Sequence, residues 1–200
     1  MAIMSQHRYF ILNKPIDMVS QFVSSHDVRL LGSIDFNFPE GTHAIGRLDK
    51  DSEGLLLLTT NSKVTKLLFQ GKVPHKRTYL VQVINKISEE IITKIANGIS
   101  ISAPDNSAYF TTPCEVKLTD PSNFNVEDKN VRLHKNVTNS WITITLTEGK
   151  FHQVRKMVAA VGHKCLRLIR VSIEGIALDD LQPGEIKEVE HDYFFEKLKL

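Results

Sequence analysis

Apolar residues along this chain gather in short runs, some unbroken and some alternating with polar residues, while a smaller number recur at helical spacing. The segment "RYFILN" (8–13) predicts a strand closed by Lys14-Pro15, where proline removes a backbone donor. "GLLLLTT" (54–60) is continuously apolar and follows a glycine, which suits a strand covered on both faces. "NSKVTKLLFQGK" places Val64, Leu67 and Leu68 on one helical stripe, with Asn61 or Ser62 as cap and Gly71 as stop. "RTYLVQVI" (77–84) alternates and predicts a strand; "SEEIITKIANG" predicts a helix capped by Ser88 and ended by Gly98. Strands are predicted over Tyr109 to Leu118 and over "WITITL" (141–146), with an exposed Asp-, Asn- and Ser-rich loop at 119–139 between them. "KFHQVRKMVAAVG" puts Phe151, Val154, Met157, Val158 and Val161 on the stripe of an amphipathic helix ending at Gly162. "KCLRLIRVSI" returns as a strand, and a turn at Pro183-Gly184 precedes a short, helical tail. Strands interleaved with a few helices, without regular βαβ units, predict an α+β fold with a central mixed or mostly antiparallel sheet.

Composition narrows the class. With 200 residues and 42% hydrophobic content the chain can bury a real core, and it reads as continuous folded structure without repeats. No apolar run approaches the roughly 20 residues that cross a bilayer. "MAIMSQHRYF" lacks the apolar core and cleavage site of a signal peptide, so the expected location is the cytoplasm. Cys114 and Cys165 lie far apart, no zinc spacing appears, and both are expected to be buried thiols.

A formal net charge of +2 conceals two basic tracts. From Lys63 to Lys86 the chain carries Lys63, Lys66, Lys72, Lys76, Arg77 and Lys86 and no acid; from Gly149 to Arg170 it carries Lys150, Arg155, Lys156, Lys164, Arg167 and Arg170 and no acid. Two solvated faces would account for this, and so would a shared polyanion-binding face, since clustered cations gain from counterion release along a phosphate backbone.

The chemistry concentrates in "HAIGRLDKDSEGLLLLTTN" (43–61), where acids and bases run straight into the leucine strand. A calcium loop would match Asp49, Asp51, Glu53 and Gly54, but the twelfth position is Thr60 where a bidentate Glu is needed, and leucines fill the preceding places. Asp51 and Glu53 read as solvated acids of a surface turn. Asp49 differs, because Gly46 and Gly54 bracket it and allow backbone to approach a ligand, while the leucine strand anchors the loop. An acid so held is a candidate nucleophile or base, with Arg47 close by in sequence.

"GRLDKDSEGLLLLTTN" closely resembles the catalytic motif of the RsuA-like family of bacterial ribosomal RNA pseudouridine synthases. "ILNKP" resembles that family's opening strand and turn, "HKRTYLVQV" its second motif strand, and "EGKFHQVRKMVAAVGHKCLRLIRVSI" its closing helix and strand, so the likeness spans roughly residues 8–182. With "NKPIDMVSQF" and no preceding S4 RNA-binding domain, the chain looks like the large-subunit synthase E subgroup. The resemblance implies one catalytic domain over 1–200, the pseudouridine synthase fold with a cleft across its sheet, and a cofactor-free, monomeric isomerase acting on 23S ribosomal RNA.

It also implies roles residue by residue. Asp49 would attack C1′ of a uridine or remove its 2′ proton; Tyr79 would stack on the uracil and assist proton transfer at C5; Arg155 would pair with Asp49, with Lys156 as runner-up. An ordinary strand tyrosine and a solvated helix arginine remain open readings of those two residues. Arg47 would help extrude the nucleotide, and Leu168 would line the pocket unless it is simply a core leucine. Lys14, Lys76, Arg77, Lys150 and Lys164 would contact phosphates, which position without reading sequence. His152 and His163 are weaker acid–base candidates. Two other readings stay open: a silent RNA-binding or ribosome-assembly module, and a synthase acting on tRNA or 16S rRNA.

Overall fold

A computed structural model describes residues 7–71, 73–105, 107–126 and 137–200. The leader-free reading of residues 1–6, the basic Lys72 and the middle of the polar segment (127–136) lie outside the described residues. In chain order the elements are β1 (Tyr9–Lys14), β2 (His43–Ile45), β3 (Glu53–Thr59), α1 (Val64–Gln70), β4 (Arg77–Ile84), α2 (Glu89–Ala96), β5 (Ser100–Ser102) and β6 (Ala108–Phe110). Then come β7 (Glu115–Thr119), β8 (Asn139–Leu146), α3 (Gln153–Ala160), β9 (Cys165–Ile173), β10 (Ile176–Ala177), β11 (Ile186–Val189) and α4 (His191–Leu198). The fold is α+β, as the alternation of patterns predicts, and it divides into two compact units.

The first unit comprises Met1–His75 and Arg170–Leu200. Its strand order is β11-β1-β3-β9, with β2 also on β3 and β10 on β9. In β3 successive side chains point to opposite faces, so an unbroken leucine run needs cover on both. It has it: Leu55, Leu56, Leu57 and Leu58 are wholly buried, with Leu12 opposite Leu56 and Ile45 opposite Leu57 in antiparallel register. Each such leucine contributes about 1.5–3 kcal/mol by leaving water. The tail helix α4 adds Phe194, whose ring centroid lies 4.7 Å from that of Tyr9.

The second unit, Lys76–Ile169, has the order β9-β4-β8-β7, β9 contributing Cys165–Ile169 here and Arg170–Ile173 to the first unit. The β4–β8 pair runs antiparallel from Arg77 opposite Leu146 to Ile84 opposite Asn139. Val81, Val83, Ile142 and Ile144 from these strands form one core with Ile92 and Ile95 of α2 and Val154, Met157 and Val158 of α3. Helix α2 starts as its sequence predicts, with the Ser88 hydroxyl accepting from the Ile91 amide at 3.3 Å and Glu89 and Glu90 in the first turn.

Several expectations are corrected. The single strand predicted over Tyr109 to Leu118 is two, β6 paired with β5 and β7 paired with β8. Pro113 has no amide hydrogen to offer a ladder, and the flanking donors go elsewhere: Thr112 N–H to Glu148 and Cys114 N–H to the Ala96 carbonyl. Helix α1 begins with Lys63 at its cap position, and Asn61 instead accepts from the Lys63 amide at 3.2 Å, an Asx turn just upstream. Phe151 is not on the α3 stripe but 59% exposed, because the helix starts two residues later. Cys114 and Cys165 are free thiols but only partly buried. The polar segment is not all loop: Thr119 ends β7, a single helical turn covers Pro121–Asn123, and Asn139 opens β8.

Candidate active site

The loop between β2 and β3 is shaped by its glycines. Gly46 has φ +72°, and a Cβ there would lie 2.6 Å from the Phe69 ring, so only glycine fits without displacing that ring. The chain then turns tightly at Asp49, whose carbonyl accepts from the Ser52 amide at 3.0 Å. Ser20 pins the loop from outside: its hydroxyl lies 2.9 Å from both the amide nitrogen and the carbonyl oxygen of Leu48. Asp49 is therefore attached to a fixed neighbour and is itself half-buried, while Arg47, Lys50 and Asp51 are exposed. Glu53 is not the solvated acid its sequence setting suggests; at 3% exposure it is buried as the first residue of β3.

Lys14 is also corrected. Expected among the phosphate contacts, it is instead wholly buried at the end of β1. Its ammonium donates to the carbonyls of Pro15 (2.9 Å) and Met18 (2.6 Å). Burial pushes its pKa down to about 8, against the opposing attraction of Glu53, Asp49, Asp51 and Asp17. A buried cation thus shares the electrostatic surroundings of Asp49.

The second unit holds the remaining predicted residues. Tyr79 stands on β4 opposite Ile144 and is half-buried against the core cluster, while Leu168 (5% exposed) is a full member of that core. Lys76 and Lys150 are exposed; Arg77 is partly buried, with a guanidinium nitrogen 3.1 Å from where a Cβ on Gly149 would sit. Lys150 places its ammonium 4.4 Å from the Tyr109 ring centroid. On α3, Arg155 and Lys156 are half-buried, and Lys156 donates to the Ser102 carbonyl at 2.6 Å. Arg155 lines a shallow groove of about 470 Å³ with Ala159, Gly162, His163, Lys164 and Cys165. His163 is buried, with Nδ1 2.8 Å from the Ile84 carbonyl, which makes it a structural histidine.

A family model for RNA pseudouridylate synthases matches residues 8–160, most of the chain and every element just described from β1 to α3. The chain belongs to the RNA pseudouridylate synthase family. The synthase is thus an isomerase that converts uridine in RNA to pseudouridine. Among its relatives is the ribosomal large subunit pseudouridine synthase E of Vibrio parahaemolyticus, 35% identical over 187 residues that span 94% of this chain and 76% of the relative. The protein of the same name from Xanthomonas axonopodis is 36% identical over 174 residues, 86% of this chain and 89% of its own. A crystal structure of a pseudouridylate synthase superposes with a TM-score of 0.78 at 28% identity, covering 99% of this chain and 76% of that one.

Sequence reasoning missed one polar centre of the synthase. Glu148 accepts from the Tyr109 hydroxyl, the Thr112 amide (3.0 Å) and the Gln153 side chain (2.6 Å), and the Gln153 side-chain oxygen Oε1 in turn accepts from the Lys150 amide (2.9 Å). Burial disfavours its charge, but these hydrogen bonds outweigh burial and hold its pKa below the ordinary carboxylate range. The contacts join residues 39 and 36 positions apart, which no local pattern announces. Among the described residues, no cluster of three or more His, Cys, Asp or Glu forms a metal site, and no helix is long and apolar enough to cross a membrane.

Proposed function

We propose that the synthase isomerises a specific uridine of 23S ribosomal RNA, with Asp49 as its reacting carboxylate, as a cytoplasmic monomer needing no cofactor. The N1–C1′ bond breaks, the uracil turns, and C5 bonds to C1′ while C5 gives up its proton; the product keeps the atomic composition of the substrate. Asp49 acts as nucleophile at C1′ or as base toward the 2′ proton. Tyr79 and Arg155 take the uracil-stacking and charge-stabilising roles that the resemblance gives them. Arg47, Lys76, Arg77, Lys150, Lys156 and Lys164 hold the RNA backbone or help extrude the nucleotide.

The observation that carries this reading is the setting of Asp49: a half-buried acid on a loop fixed by glycine at 46 and by the Ser20–Leu48 clamp. A carboxylate that must meet a ribose in one orientation gains from such pre-positioning. The large-subunit names of the relatives support the choice of RNA. To test it, pseudouridine is mapped across 23S rRNA, 16S rRNA and tRNA in a strain lacking the endogenous gene, complemented with wild type or Asp49→Asn. Wild type is expected to restore one position in 23S rRNA and Asp49→Asn none. Restoration by the variant removes Asp49 from the chemistry, and restoration in another RNA overturns the substrate.

A further inference from the structure

We infer that the exposed Phe151–His152 pair is a stacking platform for an unpaired base of the bound RNA, outside the residues that act on the target uridine. Phe151 is 59% exposed at the entry to α3, where an apolar ring in water has no folding benefit. The His152 ring lies parallel to it, with centroids 3.9 Å apart and planes 19° apart. His152 holds φ +53°, in the left-handed region that few residues with a Cβ enter. Backbone strain that presents an aromatic surface to solvent points from geometry to function.

The surroundings select the occupant. The Lys156 ammonium lies 5.4 Å from the Phe151 ring centroid, Lys150 precedes it in sequence, and the tract from Gly149 to Arg170 has no acid. The preceding acid, Glu148, is held by Tyr109, Thr112 and Gln153. An aromatic face beside the Lys156 ammonium, in a tract without acids, suits a base with its phosphates, since every base has a π-face and the cations of the tract match the backbone charge. A protein partner fits poorly: one ring offers about 200 Å² at most, against about 800 Å² per partner in a stable interface. The inference rests on RNA as the substrate class and extends the proposed function beyond the reacting nucleotide.

The test is binding of a short single-stranded RNA by wild type, Phe151→Leu and Phe151→Trp over a range of salt concentrations. Leucine keeps an apolar side chain and removes the stack; affinity is expected to fall roughly tenfold with the slope of log affinity against log salt unchanged. Tryptophan is expected to retain affinity, and its added indole, beside the single native Trp141, to be quenched by RNA. Equal affinity for Phe151→Leu overturns the inference, as does a weakening with a shallower slope, which would mean displaced lysines. Should Phe151→Leu fail to fold, the tryptophan variant decides alone: no quenching on binding sinks the idea. The two readings fail separately. Normal binding by Phe151→Leu beside an inactive Asp49→Asn rejects the platform only, while weakened binding without rRNA modification by wild type rejects the function only.

Discussion

Lys14 is a buried charge under electrostatic tension. Its ammonium is out of water, two carbonyls and nearby acids only partly replace its hydration, and its pKa falls from 10.5 to about 8. The sign for stability follows from proton counting. Below pH 8 both folded and unfolded chains carry the charge, and the fold bears the burial penalty. Between about pH 8 and 10.5 the folded chain has released its proton while the unfolded chain keeps it, so stability rises with pH through that window. Relative to Lys14→Met, which cannot titrate, wild type should gain on the order of 3 kcal/mol across it, read by chemical unfolding at stepped pH. A flat difference would contradict the buried cation. Nothing in "ILNKP" distinguishes this lysine from a surface one; its burial comes from β3 and the Met18 turn closing over it.

At the scale of elements, legibility follows length and periodicity. Helix α2 and strands β3, β4 and β9 are readable because apolar rhythm, caps and turn residues all agree. The short strands β2, β5, β10 and β11 are not, since two to four residues hold too little of a period-2 pattern, and β11 in addition depends on a partner, β1, at the other end of the chain. Phe151 misleads for a related reason: helical spacing places it on the stripe, but the left-handed His152 breaks the phase before the helix begins. The loop that carries Asp49 is legible through its glycines, whereas the Glu148 hub is not. Agreement between signal and structure has a measurable consequence at α2. Ser88→Ala removes the hydroxyl that accepts from Ile91 and should lower stability by about 1 kcal/mol in denaturant unfolding, with an unchanged m-value.

Across the whole molecule, a net charge of +2 conceals two basic tracts. Of the cations in the two tracts, the structure removes Arg167 and Arg170 from the surface, at 6% and 2% exposure, and Arg170 donates to the Leu55 carbonyl at 2.8 Å. Lys76 remains exposed and Arg77 partly so. Neutralising both should weaken RNA binding and reduce the log–log salt slope by roughly 0.7–0.9 for each phosphate no longer held. An unchanged slope would place both outside the RNA interface. One further consequence lies in the clamp between Ser20 and Leu48, which holds Asp49 through a segment 28 residues upstream. The loop that carries Asp49 is therefore not a portable cassette. A graft of Gly46 to Gly54 into another scaffold would carry the acid but leave behind its foundation, and a faithful transplant has to bring both stretches of chain.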